Sequence, residues 1–450
     1  MFKKLTNFSV NIVQRYLPDP FLFCIILTLT VFIGGITLTG QGPMDMIVHW
    51  NNGFWKLLAF SMQMVLVLVT GNTLAHAPII QKGLKTLAAP AKTPLQAIVA
   101  VTIVSSIACW INWGFGLVIG ALYARQLAKE VKGVDYRLLI ASAYTGFLVW
   151  HAGISGSIPL KVATAGADLA KITKGAVVDP IPTSSTIFST FNLIIIFVLL
   201  VTIPLVNRLM HPDAKDTVTI DPSLLEEEIT PVSAAQKNKT PADWMENSPF
   251  FSILIGLMGL TFIVYYFVQN GFKLNLNIVN FMFLFAGILL HGTPRRFLDA
   301  VTSAVKGSAG IILQFPFYAG IMGMMVGANA AGISCAGMMS NWFVDISTVT
   351  TFPFFTFLSA GLVNFFVPSG GGQWAVQAPI MMPAGAALGV PAAKTAMAIA
   401  WGDAWTNMIQ PFWALPALGI AGLGARDIMG FCLVVMFYSG IIISLGLVFL

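Results

Sequence analysis

Charge is scarce in this sequence. Only 9% of its 450 residues are Asp, Glu, Lys or Arg, against about 25% in an average soluble domain. A chain this long cannot clothe a water-facing surface with so few charges, which excludes a soluble globular protein. The five histidines form no HExxH or similar pair, and no GxSxG occurs, so the common hydrolase signatures are missing. The four cysteines (Cys24, Cys109, Cys335, Cys432) lie far apart in apolar segments without metal-ligand spacing and read as small core residues. No cofactor and no structural metal is expected, and an enzyme is not favoured. Arginine is absent from the interior of every apolar run, so a carboxylate ligand would have to be held without an arginine clamp. The net charge of +6 resides in short loops between those runs. That placement suits the positive-inside rule, excludes nucleic acid as the partner and makes the lipid bilayer one.

What fills the sequence is apolar chain: 57% hydrophobic, with a mean hydropathy of +0.82. Spans are predicted near 21–40, 54–75, 137–158, 186–207, 249–269, 275–291, 307–328, 395–420 and 427–449. Two further stretches, 95–124 and 352–390, are apolar but interrupted. The expected fold is therefore an all-α polytopic membrane protein. Residues 1–20, MFKKLTNFSVNIVQRYLPDP, read as an amphipathic segment on the cytoplasmic face, without a cleavage site after it. Residues 209–248 carry prolines at 212, 222, 231 and 241 and the cluster Glu226-Glu227-Glu228. They form an acidic cytoplasmic linker between a first membrane repeat, 21–208, and residues 249–450, a linking span plus a second repeat.

Four ordered residue pairs suggest that the halves are related. Asp45 and Gly53 match Asp299 and Gly307 at an offset of 254, Asn112 matches Asn364 at 252, and Trp150 matches Trp405 at 255. Basic residues set the orientation. Lys82, Lys85 and Lys92 precede the 95–124 stretch, and Arg125, Lys129, Lys132 and Arg137 follow it. Both flanks are cytoplasmic by charge, so this stretch is expected to be a re-entrant hairpin. The number of crossings before the second half is then odd, which inverts that half. The loop at 329–350 has no Lys or Arg, as an outside loop should. Lys161, Lys171, Lys174 and Lys394 fit this topology poorly.

The interruptions carry the candidate chemistry. VPSGGGQWAVQAP, 367–379, opens the second broken stretch, and INWGFG, 111–116, opens the first. Unpaired backbone is tolerated at membrane depth only inside protein or beside water. A hairpin tip there presents free N–H groups at the start of its second arm, a site for an anion. Ser369, Gly370, Gly371, Gly372, Gln373, Asn112 and Asn407 are the candidate substrate-binding residues. The plain alternative for the glycines is a tight turn between packed helices. The spans after each stretch are broken too, at WHAGISGSIP (150–159) and AWGDAWTNMIQPFWALP (400–416). Of the 18 acidic residues, Asp403 alone falls mid-span, where a carboxylate costs about 2.5–3.5 kcal/mol on insertion scales. Asp403, Thr406, Asn364 and Ser155 are the candidate coupling-cation residues, for H+ or Na+. Trp374, Phe365 or Trp413 would contact an apolar tail.

YLPDPFLF (16–23), NWGFGLVIGA (112–121), QFPFYAGIMG (314–323), VPSGGGQWAVQAP and QPFWALPALGIAGLGARDIMGF (410–431) resemble the short-chain fatty acid uptake transporters of the AtoE type over nearly the whole chain. The resemblance implies inner-membrane uptake of acetoacetate, butyrate or similar monocarboxylates, with relatives carrying an acidic residue where Asp403 stands. It also implies two inverted repeats with re-entrant hairpins, by analogy with ion-coupled organic-anion transporters. The Ser-Asn-Thr hairpin motifs of the sodium-dicarboxylate members are missing, so their cation sites do not transfer. The reading is a secondary transporter in the inner membrane with a cytoplasmic N-terminus, its homodimerisation left open. Transport of a dicarboxylate or other organic anion, and a membrane-embedded enzyme, are the rivals.

Overall fold

The structure is a computed structural model that describes residues 2–164, 167–221, 225, 240–271 and 276–450. Among these residues every regular element is helical. The N-terminal segment is the helix α1 (Phe2–Tyr16), packed along the C-terminal helix. The first half continues with α2 (Pro20–Thr39), α3 (Pro43–Phe54), α4 (Leu58–Ala75), α5 (Pro78–Ala88), α6 (Pro94–Ile111), α7 (Trp113–Glu130), α8 (Tyr136–Thr145), a 3-10 turn (Gly146–Ala152), α9 (Ser157–Val162), α10 (Ala167–Ile172) and α11 (Thr190–Leu209). The linker contributes α12 (Pro241–Asn247), and α13 (Pro249–Asn270) leads into the second half. That half comprises α14 (Leu276–His291), α15 (Pro294–Val305), α16 (Ala309–Val326), α17 (Cys335–Asp345), α18 (Phe352–Phe366), α19 (Gly370–Ala387), α20 (Ala392–Thr406), α21 (Pro411–Ala421) and α22 (Ala425–Phe449).

Local sequence explains the boundaries. Proline occupies the first turn of α2, α3, α5, α6, α12, α13, α15 and α21, where its missing N–H has no helical partner to lose. Side-chain caps add to this: Asp19 accepts from the Phe21 N–H at 2.9 Å, and Asp135 from the Leu138 N–H at 2.9 Å. Among the described residues seven helical segments are long and apolar enough to cross a membrane, or eight if α4 and α5, bent by 82° at their junction, count as one span. Helix α13 turns Leu254, Met258 and Val268 outward, the apolar exterior that lipid requires.

The repeat is visible in the order and length of the elements. Helices α3 and α15 each have 12 residues, α4 and α16 each 18, α5 and α17 each 11, and α7 and α19 each 18. Packing is reciprocal as well. Helices α2 and α3 lie on α16, while α14 and α15 lie on α4; α7 packs on α21, and α19 on α9. Each half thus covers surface belonging to the other, and one continuous core draws on both.

Two sequence readings are refined. The residues 209–221 and 240–248 are not featureless: Asp213 pairs with Lys3 at 2.6 Å, the Val218 N–H donates to Asp135 at 2.8 Å, and Thr240 caps α12. Pro222, Glu226-Glu227-Glu228 and Pro231 lie outside the described residues. The matched pairs also divide in role. Asp45 accepts from the Gly42 N–H at the start of α3, whereas Asp299, midway along α15, faces Arg295 at 3.3 Å. The repeat is carried by whole elements more than by single residues.

Candidate functional site

Asn112 is the single residue between α6 and α7. Its extended backbone (φ −151°, ψ 120°) starts α7, and its Oδ1 accepts the Phe115 N–H at 2.9 Å. The Trp113 N–H donates to Ser155 Oγ at 3.0 Å, and the Ile154 N–H to the Trp110 carbonyl at 2.8 Å. The first tip is therefore sewn to the first broken span. Ser155, grouped from sequence with Asp403, serves this tip.

The second tip is built alike, with Ser369 (φ −154°, ψ 110°) in the capping position and its Oγ accepting the Gly372 N–H at 3.3 Å. By role, the counterpart of Asn112 is Ser369 and not Asn364. The glycines that follow each meet a different neighbour. A Cβ on Gly370 would stand 2.7 Å from Cε1 of His151, one on Gly371 3.4 Å from Nζ of Lys161, and one on Gly372 3.0 Å from Sδ of Met322. Glycine in a helix costs about 1 kcal/mol relative to alanine; here it admits three close approaches. Gln373 turns inward, donating to the Ala360 carbonyl at 2.6 Å and to Gln377 at 3.0 Å, and Gln377 donates to Ser359 at 3.0 Å. These amides hold α19 against α18.

Behind the second tip the two broken spans meet. After α8 the chain winds as a 3-10 helix, in which residues three apart eclipse. Tyr144, Phe147 and Trp150 accordingly stack, with ring centroids 6.0 and 5.4 Å apart, and Trp150 stacks on His151 at 4.0 Å. This column presents His151 to Asp403: Nδ1 lies 3.1 Å from Oδ1, and both side chains are 0% exposed. The His151 Nε2 accepts the Ile158 N–H at 3.0 Å. On the other side, Asn364 donates to the Asp403 carbonyl at 2.9 Å, to Thr406 Oγ1 at 3.0 Å and to Asn407 Oδ1 at 2.8 Å. Tyr144 donates to the Asn407 carbonyl at 2.6 Å, and Gln410 to the Phe365 carbonyl at 2.7 Å. Asn364, Asp403, Thr406 and Asn407 thus form one buried polar cluster, joined to the first half through His151 and Tyr144. Four of its atoms, or of those beside it, are buried with no hydrogen-bond partner: Asp403 Oδ2, Asn364 Oδ1, Asn407 Nδ2 and Gln373 Oε1.

A cavity of about 720 Å³ opens beside the first turns of α19, lined by Gly372, Met322, Val376, Asn341 and Lys174 among others. It offers an apolar wall and an ammonium. The three aromatic candidates are dispersed: Trp374 is buried in the packing of α19, Phe365 meets Phe23 at 5.6 Å, and Trp413 joins Trp113 and Trp150 at 5.3 and 5.8 Å.

The family model described as "Short chain fatty acid transporter" matches residues 1–450. The chain belongs to this family. Two full-length relatives bear the name "Putative short-chain fatty acid transporter". The one from Escherichia coli K12 is 46% identical over 447 residues, 99% of each chain. The one from Haemophilus influenzae Rd is 46% identical over 452 residues, 100% of each. Among solved structures, the crystal structure of the Alcanivorax borkumensis YdaH transporter, titled as having an unusual topology, aligns over 96% of this chain and 97% of its own with a TM-score of 0.42 and 16% identity; likeness at that level carries no argument.

For a short-chain fatty acid transporter two residues now stand out that sequence reasoning passed over. His151 is one of five scattered histidines in the sequence, but it lies in the break WHAGISGSIP and 252 positions before Asp403, the same offset as between Asn112 and Asn364. Lys161 stood out only as a charge misplaced for the topology, and it lies at the second tip.

Proposed function

We propose that the protein is a secondary active transporter that takes up short-chain monocarboxylates, such as acetoacetate and butyrate, across the inner membrane, driven by coupled H+ or Na+. The observation that carries this reading is the contact of Gly370 with His151, which in turn meets Asp403. Through it one hairpin tip and both broken spans share a single junction. The substrate carboxylate docks at the Gly371 N–H in the first turn of α19, where the helix dipole favours an anion; the Gly372 N–H is taken by the Ser369 cap. Lys161 and Lys174 supply countercharge, and the alkyl tail lies along Met322 and Val376 in the cavity. Ser369 and Gln373 hold the turn in shape. Asn112 with Ser155 fixes the first tip, while Asp403 with Asn364, Thr406 and Asn407 forms the coupling cluster.

In the membrane, α6–α7 and α18–α19 act as re-entrant hairpins of inverted repeats, with the N-terminus and linker in the cytoplasm. Among the described residues no arginine lines the cavity, so no bidentate clamp is present, and the apolar wall of Met322 and Val376 suits an alkyl tail over a second carboxylate. Uptake of labelled butyrate and of labelled succinate by purified protein in liposomes tests this. Butyrate accumulation under an imposed ion gradient is expected. Preference for succinate, or chemical turnover of substrate without a gradient, would overturn the reading. Light scattering of the purified protein distinguishes a homodimer from a monomer.

A further inference from the structure

Resting on the transporter reading, we propose that the coupling ion is a proton held on Oδ2 of Asp403, with His151 as the residue that positions the carboxyl. The tautomer of His151 is fixed by its neighbours. A backbone N–H only donates, so Nε2, which faces the Ile158 N–H at 3.0 Å, bears no hydrogen. The imidazole hydrogen is then on Nδ1 and donates to Asp403 Oδ1 at 3.1 Å. A neutral imidazole brings no charge to offset the carboxylate.

Oδ2 of the same carboxyl is buried and has no partner. A carboxylate buried with one oxygen unmet costs several kcal/mol, so this conformation favours a partner that cancels its charge. The surroundings show which. Asn364 directs its NH2 at the Asp403 carbonyl and Gln373 directs its NH2 at the Ala360 carbonyl. Carbonyls only accept, so neither amide is reversed. Asn364 Oδ1 and Gln373 Oε1 remain acceptors without donors. Ala360 also packs on Gly402, the residue before Asp403, which brings both amides to the same patch. Three of the four unmet atoms are acceptors, Asn407 Nδ2 being the one donor, and a proton on Oδ2 converts one of those acceptors into a donor.

Few other titratable groups surround it. Helices α18 and α19 carry none. The 3-10 turn brings His151, α9 brings Lys161 at Gly371, α8 brings Tyr144 at Asn407, and α22 brings Arg426, Asp427, Cys432 and Tyr438; α20 itself adds Lys394. The step is a simple one. A proton from water forms an O–H bond at Oδ2 and cancels the charge; release to the opposite side breaks that bond and restores the carboxylate. Because Gly370 rests on the His151 ring, this change of charge reaches the binding turn through one side chain.

The test uses the full chain in liposomes with entrapped pH dye, protein-free vesicles as the blank, and labelled butyrate. Wild type is expected to accumulate butyrate under an imposed pH gradient without sodium, and to acidify the lumen as it does so. Asp403→Asn is expected to lose both while still exchanging internal for external butyrate. Exchange by wild type tests the transporter reading alone, so its absence sinks that reading and not merely the proton. His151→Ala is expected to change the pH dependence of gradient-driven uptake, since the N–H bond to the Asp403 carboxyl is lost, and an unaltered profile would remove His151 from the positioning role. His151→Asn, which retains a donor near the Nδ1 position, is expected to restore the profile. Accumulation by wild type that follows a sodium gradient and ignores the pH gradient overturns the proposal, whatever the variants do. So does proton-coupled accumulation that persists in Asp403→Asn.

Discussion

The two hairpin tips share a design and differ in openness. Each begins its second arm with an extended residue whose side chain caps the helix, Asn112 on Phe115 and Ser369 on Gly372. The first tip is a single residue, 2% exposed, with its neighbouring N–H taken by Ser155. The second is followed by three glycines, touches His151 and Lys161, and borders the cavity. Pseudo-symmetry therefore fixes where backbone is opened, and side-chain size fixes which opening is accessible. A repeat supplies two equivalent frames, of which only one needs to bind.

Altering Gly370 breaks this comparison most severely. Gly370→Leu places a side chain where the His151 ring stands and is expected to abolish butyrate uptake while membrane levels, read by immunoblot, persist; uptake within threefold of wild type would show that the tip has room to spare. Lys161→Gln, which removes the ammonium beside Gly371, is expected to raise the KM for butyrate about tenfold, as loss of roughly 1.4 kcal/mol of carboxylate binding requires. An unchanged KM would leave the start of α19 and Lys174 as sufficient.

The closed tip should respond differently. Asn112→Ala loses a cap worth about 1 kcal/mol, so thermal unfolding should shift by a few degrees with uptake reduced less than twofold. A large fall in uptake with little loss of stability would make the tips functional equals. The smallest effect is expected far from both, at Lys3 and Asp213. The Lys3 ammonium holds the Asp213 carboxyl below its ordinary value, first by a hydrogen bond and then by its charge. This contribution is present above the unfolded carboxyl's value and disappears as pH falls through the lowered one. Both groups are exposed, so Lys3→Ala should leave uptake and the thermal midpoint unchanged at pH 7.

Much of the architecture was legible because membrane chain writes its constraints locally. Apolar length placed the spans, and proline and capping residues placed their ends. The breaks at 112, at 150–159, at 367–370 and at 407–410 were marked by Gly, Asn, Ser and Pro, since opened backbone demands those residue types. Asp403 announced itself by the cost of a carboxylate at mid-span. The amphipathic helices α5 and α17 were not read as elements, because their short mixed sequences lack the length that marks a span.

Partnership was decided only by the tertiary structure. His151 looks like any scattered histidine until the 3-10 turn stacks it on Trp150 and carries it to Asp403 from the other half. Lys161 looks like a misplaced loop charge until α9 sets it against α19. Ser155 pairs with the first tip and Asn364 with the second span for the same reason. Hydropathy, turn chemistry and the cost of a buried charge act on each residue and its near neighbours, so one chain suffices to read them. Which polar atom meets which depends on how two halves, some 250 positions apart, pack across each other, and no local rule encodes that.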